Sequence, residues 1–233
     1  MFVESSEMYD LIYSFKDYQK ESEEIAQLIH RRKPAAQKVL DVACGTAEHH
    51  KYLGDKFSIT GLDINPGFIK IAKRKIPDGE YYIGDMREFE LEQTFDVILC
   101  LFSSIGYVKD FEELVATLKS FRSHLSEEGL LIVEPWVTPE NWYEGKVHML
   151  TYESEGVKIC RMNKSETEDR HSVLNFHYLI GTTKEGVRHF EERHELILLS
   201  INKMKEAFAL AGLSVEHDPE GLIGRGMYYA KAV

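Results

Sequence analysis

Five short segments of this sequence carry residues that could hold a nucleoside and a reacting group beside it. They are Asp41-Val42-Ala43-Cys44-Gly45-Thr46-Ala47, Asp63-Ile64, Gly84-Asp85-Met86, Leu101-Phe102-Ser103-Ser104 and Glu134-Pro135-Trp136. Ala43 and Gly45 are small, so backbone can approach a ligand closely. Asp63 lies 22 residues after Asp41 (63 − 41), and an acid there can accept hydrogen bonds from both ribose hydroxyls. Taken singly, each residue has a structural reading: Asp63 could cap the next helix, and Met86 or Phe102 could be core. Their order, at four successive strand ends, favours the ligand reading. The turn holds only Gly45, where a G-x-G-x-x-G dinucleotide fingerprint needs three glycines.

The elements that must position these residues are legible as an alternation. Short apolar runs at Val39–Ala43, Ser58–Ile64, Glu80–Ile83, Phe95–Phe102 and Leu130–Glu134 suit strands buried on both faces. Between them fall helices. One spans Asp17–Arg32, one Ala47–Leu53, and one opens at Asn65-Pro66 and runs to Lys75. Another carries Phe111, Leu114, Val115, Leu118, Phe121 and Leu125 at helical spacing. Strands alternating with helices predict a doubly wound α/β fold, with a mostly parallel Rossmann-like sheet of seven strands. After Pro135 the pattern becomes strand upon strand, over Val147–Cys160, Val173–Ile180 and Val187–Leu199, with polar turns such as Glu155-Gly156 and Lys184-Glu185-Gly186. This predicts an inserted antiparallel lobe over 138–199, with the core formed by 1–137 and 200–233. A helix over Ile201–Ala211 stops at Gly212, and strands over Leu213–His217 and Met227–Lys231 close the chain.

Bulk properties bound the chemistry. The 233 residues are 43% hydrophobic and 29% charged, as in a globular protein. The net charge of −11 argues against nucleic acid as a partner, because phosphate binding draws on clustered Lys and Arg. Cys44, Cys100 and Cys160 form no C-x-x-C pair, so a reducing cytoplasm is expected. The N-terminal segment lacks a signal-peptide pattern, and no apolar run approaches the roughly 20 residues of a membrane span. No carboxylate–histidine set has metal spacing, so no metal is expected, and Ser103-Ser104 lacks a nucleophile elbow. His49-His50 is expected to be solvated, and His177 and His189 to be packed or surface residues.

The acid before the first turn and the Cys44-Gly45-Thr46 within it resemble the first motif of the class I methyltransferases, with Ala47 where that family usually has glycine. Segments along almost the whole chain resemble a narrower family, the N,N-dimethyltransferases of dTDP-linked 3-amino deoxysugars. They include Tyr9-Asp10-Leu11-Ile12-Tyr13, Lys16-Asp17-Tyr18, Gly84-Asp85-Met86-Arg87, Phe102–Tyr107, Val133-Glu134-Pro135-Trp136, Val187-Arg188-His189-Phe190 and Gly224-Arg225-Gly226. The resemblance implies S-adenosylmethionine as cofactor, with S-adenosylhomocysteine as product. It implies that Tyr9 and Tyr18 close over that cofactor and that Ala43, Gly45, Asp63, Ile64, Asp85, Met86 and Leu101 surround it. It sets Phe102, Ser103, Glu134, Pro135, Trp136 and Arg161 at the acceptor, and Arg225 at the substrate pyrophosphate, a match of guanidinium to phosphate. Asn163-Lys164 and Val137 depart from the family pattern, which has Ser-His and a second tryptophan there.

Methyl transfer from a sulfonium needs an aligned acceptor with a free lone pair, and little else. Tyr107, just past the fourth strand, is the candidate for orienting a sugar amine or taking its proton, with Glu134 holding it electrostatically. Proton loss to water is the alternative, and an aromatic pocket wall is the structural reading of Tyr107. Three other functions stay open on the residues alone: methylation of another small amine or hydroxyl, a dehydrogenase lacking the glycine fingerprint, and a non-catalytic nucleoside-binding module. The inserted sheet offers a surface for a homodimer.

Overall fold

The computed structural model describes residue 2 and residues 4–233. Seven strands form the main sheet: β1 Lys38–Val42, β2 Ser58–Asp63, β3 Glu80–Ile83, β4 Phe95–Cys100, β5 Leu125–Val133, β10 Leu213–Asp218 and β11 Met227–Ala232. Between β5 and β10 lie four more, β6 Val147–Glu153, β7 Val157–Glu168, β8 His171–Thr182 and β9 Gly186–Ile197. The main sheet runs β10-β11-β5-β4-β1-β2-β3, with β11 antiparallel to β5 and to β10 and the other pairs parallel. The order reverses at β1, so the carboxyl ends of β1, β2 and β4 flank the switch point where such sheets take ligands.

Successive side chains along the central strands point to opposite faces. Leu40, Val42, Ile98 and Cys100 join one core with helices α5 (Phe111–Ser123) and α6 (Ile201–Leu210). Val39, Val97 and Leu99 join a second core with α2 (Tyr18–Arg32), through Ile25 and Ile29. On the flank of β2, α4 (Pro66–Lys75) buries Ile69 and Ala72 against Ala47 and Tyr81. Two short helices, α1 (Tyr9–Ile12) and α3 (His50–Leu53), complete the set. No helix among the described residues is long and apolar enough to cross a membrane.

Strands β6 to β9 form a separate antiparallel sheet in that order. Its inner face, with Phe176, Tyr178, Phe190 and Leu196, buries Ile12 and Tyr13 of the N-terminal segment. Its outer face leaves Met149 65%, Leu179 50% and Val187 77% exposed.

Backbone geometry shifts three expected boundaries. The first strand stops at Val42 and the fourth at Cys100, because Ala43 (φ 60°) and Phe102 (φ 52°) are left-handed. The helix expected from Ala47 begins at His50, since Ala47 itself sits at φ 61°. That conformation also explains why glycine is usual there in the related family. Leu125, counted into the helix by its spacing, instead opens β5. His124 ends that helix by donating from Nδ1 to the Ser120 carbonyl (2.8 Å) while Nε2 accepts the Leu91 N–H (3.0 Å).

Candidate active site

A cavity of about 830 Å³ opens at the carboxyl edge of the main sheet, roofed by the inner face of the β6–β9 sheet and by the N-terminal segment. Its size is at the upper end of small-molecule sites, which run to about 1,000 Å³. Of the expected cofactor residues, Tyr9, Ala43, Gly45, Asp63, Ile64, Asp85 and Met86 line it. Two do not. Leu101 is 5% exposed and belongs to the core beside α2, because its side chain follows the alternation of β4 inward. Tyr18 stands behind the wall, edge-on to His49 at 5.0 Å with the Lys16 ammonium over its ring.

Asp63 ties the first two strand ends together. One carboxylate oxygen accepts the Gly45 N–H (2.8 Å) and the other the Asn65 N–H (2.8 Å). The helix-cap reading therefore holds, and each oxygen keeps a second lone pair on a residue that lines the cavity. Burial pushes its pKa up to about 6, against the pull of those two N–H groups. Asp85 is held below its ordinary value, chiefly by Arg87, whose Nε donates to both its oxygens (2.9 and 3.0 Å).

The fourth strand end is a strained turn. Phe102 and Ser103 are both left-handed, at φ 52° and 62°, which is rare for such residues. Three contacts hold them there. Glu134 Oε2 accepts the Phe102 N–H (2.7 Å), Ser103 Oγ donates to the Pro135 carbonyl (2.7 Å), and Arg225 Nη1 donates to Ser103 Oγ (3.1 Å). Glu134 thus sits behind the cavity wall, 3% exposed, with Oε1 lacking a hydrogen-bond partner. Burial raises its pKa, opposed by the Phe102 N–H and by Lys16 and Arg225. Glu134→Ala is expected to destabilise the fold by roughly 1–3 kcal/mol through the orphaned Phe102 N–H. Thermal unfolding checks this: a melting temperature lower by several degrees in Glu134→Ala but near wild type in Glu134→Gln.

Phe102, Ser103, Tyr107, Trp136, Arg161 and Arg225 all line the cavity, whereas Pro135 contributes only its carbonyl to the turn. Arg225 lies over Trp136 at 5.0 Å, between two left-handed glycines. A Cβ on Gly226 (φ 86°) would meet His217 Nε2 at 2.7 Å, so only glycine fits the loop. Arg161 donates to Tyr13 Oη (3.0 Å) and stacks on Phe176 at 4.4 Å. Arg161, Arg225 and Lys146 make their side of the cavity locally basic in an acidic chain, whereas Lys16 is paired with Glu21 at 3.1 Å.

Several lining residues escape a reading of the sequence, among them Tyr13, Trp142, Phe176 and His194. His194 is 1% exposed, and Tyr107 Oη lies 2.7 Å from its Nδ1. The available signal is the alternation of β9, which turns Phe190, Glu192, His194 and Leu196 inward and His189 and Glu191 outward. The expected solvation of His49-His50 is overturned. His50 is buried with Nε2 3.1 Å from Asp41, and His49 bonds Glu21 at 3.1 Å. His177, His189 and Glu191 do bring ligand atoms within 4.8 Å of one another, exposed on the outer sheet face and outside the cavity.

Residues 39–129 match the family model described as a methyltransferase domain. Over 228 residues the chain is 39% identical to the dTDP-3-amino-3,6-dideoxy-alpha-D-glucopyranose N,N-dimethyltransferase of Streptomyces fradiae, spanning 97% of this chain and 89% of that one. The crystal structure of DesVI from Streptomyces venezuelae superposes with a TM-score of 0.91 at 36% identity, covering 97% of both chains. CalS10 from Micromonospora echinaspora, an amino pentose methyltransferase solved with bound S-adenosylmethionine, superposes at 0.87 and 29% identity, again over 97% of both. With the fold shared and 39% of residues identical over nearly the full length, the chain belongs to the family of N,N-dimethyltransferases that act on dTDP-linked amino sugars.

Proposed function

We propose that this protein transfers methyl groups from S-adenosylmethionine to the amino group of a dTDP-linked amino deoxysugar, in the cytoplasm, where its three free cysteines would stay reduced. The observation that carries the reading is a single cavity with two chemically distinct halves. One half presents Asp63, Ala43, Gly45 and Met86 at the sheet edge, suited to a nucleoside. The other presents Arg225, Arg161 and Lys146, suited to a dianionic diphosphate. A lone nucleoside-binding module does not account for the basic half, and a dehydrogenase would need the glycine fingerprint that the Asp41–Ala47 turn lacks.

The methyl donor is already activated as a sulfonium. The chain's residues bind, align and exclude water. Asp63 takes the ribose hydroxyls, and Tyr9 closes one side of the cradle. Met86 covers the adenine face, a role that Leu101, buried in the core, leaves to it. Arg225 orients the pyrophosphate, with Trp136 beneath its guanidinium. Tyr107 faces the amine, while Glu134 acts from behind by holding Phe102 and Ser103 in place. Residues 138–199 serve as the acceptor lobe.

Mass spectrometry of dTDP-3-amino and dTDP-4-amino sugars incubated with the donor tests this. A gain of one or two methylene masses on the sugar nitrogen is expected, and modification of a hydroxyl alone would replace the reading. The same lobe would join two copies through the outer face that exposes Met149, Leu179 and Val187. Light scattering is expected to give twice the chain mass, falling to one chain mass in Leu179→Asp. A wild-type monomer would remove the dimer.

A further inference from the structure

The inserted sheet turns a second buried histidine system into the cavity, and its partners form a line. Tyr107 Oη is 2.7 Å from His194 Nδ1. On the far side of the ring, His194 Nε2 lies 3.9 Å from Glu192 Oε2. Glu192 is itself fixed: its Oε1 accepts the Glu4 N–H (2.9 Å) and Ser5 N–H (3.1 Å), and its Oε2 accepts the Ser5 hydroxyl (2.6 Å). Tyr107 comes from the turn after β4 and His194 and Glu192 from one face of β9, and the N-terminal segment holds Glu192 in place through Glu4 and Ser5.

We propose that Tyr107, His194 and Glu192 form a relay that takes the proton lost by the acceptor amine at each methylation. The inference rests on the N-methyltransferase reading above. A sugar ammonium gives one N–H proton to Tyr107 Oη while the phenolic proton of Tyr107 passes to His194 Nδ1. The products are a neutral amine, an intact phenol and an imidazolium facing the Glu192 carboxylate. The amine lone pair then forms the N–C bond as the C–S bond of the donor breaks, and His194 returns its proton to water when product leaves.

The surroundings suit this traffic. Burial raises Tyr107 well above its ordinary value, so it remains a phenol that can donate to His194 and accept from an ammonium. Burial lowers His194, opposed by Glu192, which leaves the ring neutral and ready to accept at neutral pH. Burial would raise Glu192, but His194 and Ser5 outweigh it and hold the carboxyl at about 2, so it stays charged. The 3.9 Å gap from Nε2 to Glu192 is long for a neutral ring and closes naturally once the ring is charged. Groups facing His194 from other elements are the Phe2 ring (4.4 Å), the Phe176 ring (4.9 Å), and Arg161, whose charge opposes the imidazolium.

The test compares wild type, His194→Asn and Tyr107→Phe for methyl transfer to a dTDP-amino sugar between about pH 6 and 10, with donor affinity by calorimetry as the check on folding. Loss of an acid–base group slows turnover about 10²–10⁴-fold. In His194→Asn the deficit in kcat at neutral pH is expected near the lower figure. It should shrink about tenfold per pH unit as the free amine forms without help, with donor affinity unchanged. Tyr107→Phe should show the same closing gap, so it carries the test if the asparagine variant fails to bind donor. A deficit constant across pH, or none, in both variants overturns the relay while leaving the methyltransferase reading intact. A wild type that methylates no amine overturns both.

Discussion

Asp63→Asn is expected to weaken binding of S-adenosylmethionine by about 30- to 1,000-fold. That is the worth of two charge-assisted hydrogen bonds to the ribose, each about 1.5–3 kcal/mol, with a discount for water that replaces them. Asparagine keeps the shape and one acceptor, so the Gly45–Asn65 bridge is only half lost and the protein should still fold. The carboxyl titrates near pH 6 because it is buried. The ribose hydroxyls favour the carboxylate, so binding must first remove a proton whenever the pH lies below that value. Donor affinity should therefore be flat above about pH 7 and fall by up to tenfold per unit below about pH 6. The asparagine variant, with nothing to titrate there, should lose that dependence. Calorimetry on either side of that pH and at it reads both effects, and an unchanged affinity would remove Asp63 from the ribose.

Arg225→Ala is expected to raise KM for the nucleotide sugar by roughly 10- to 150-fold, the worth of one lost hydrogen bond to a charged group. The effect should fall on KM more than on kcat, because the pyrophosphate is remote from the reacting nitrogen and is held alike before and during transfer. Arg225 also steadies Ser103, so some loss of kcat would come from a looser turn beneath Phe102. Arg225→Lys separates the two: it restores charge without the planar fork and should recover only part of KM. Steady-state kinetics with the nucleotide sugar and with the same amino sugar lacking its diphosphate decide the matter. The second substrate should show no change in KM and only the kcat loss that the looser turn imposes.

Much of this site is legible in the sequence, and the reason is periodicity. Strands buried on both faces announce themselves as short apolar runs, and the residues at or just past the end of each run must lie at the carboxyl edge. Asp63, Asp85, Met86 and Phe102 are found that way, and all reach the cavity. Leu101, which the resemblance sets beside the cofactor, continues the alternation of β4 into the core beside α2, and Phe102 lines the cavity instead. Glu134 reads as facing substrate because the family resemblance sets the end of the fifth strand at the acceptor. Only the fold shows that its carboxylate reaches back to a backbone N–H. His194 is overlooked for a different reason. In β9, His189 and His194 are five residues apart and so face opposite sides, and the choice of face depends on a partner sheet that the sequence leaves unstated. His50 is misread likewise, since its partner Asp41 lies across a turn bent by left-handed residues at Ala43, Gly45 and Ala47.

One arrangement underlies every step: adenosine on the Asp63 side, diphosphate on the Arg225 side, and the sugar nitrogen brought to Tyr107 between them. The most direct measurement is a crystal structure of the protein with S-adenosylhomocysteine and a dTDP-amino sugar bound together. The expected result is ribose hydroxyls on Asp63, phosphate oxygens on Arg225, and the amine between the thioether sulfur and Tyr107 Oη. A diphosphate bound away from Arg225, or an amine turned away from the sulfur, would contradict it.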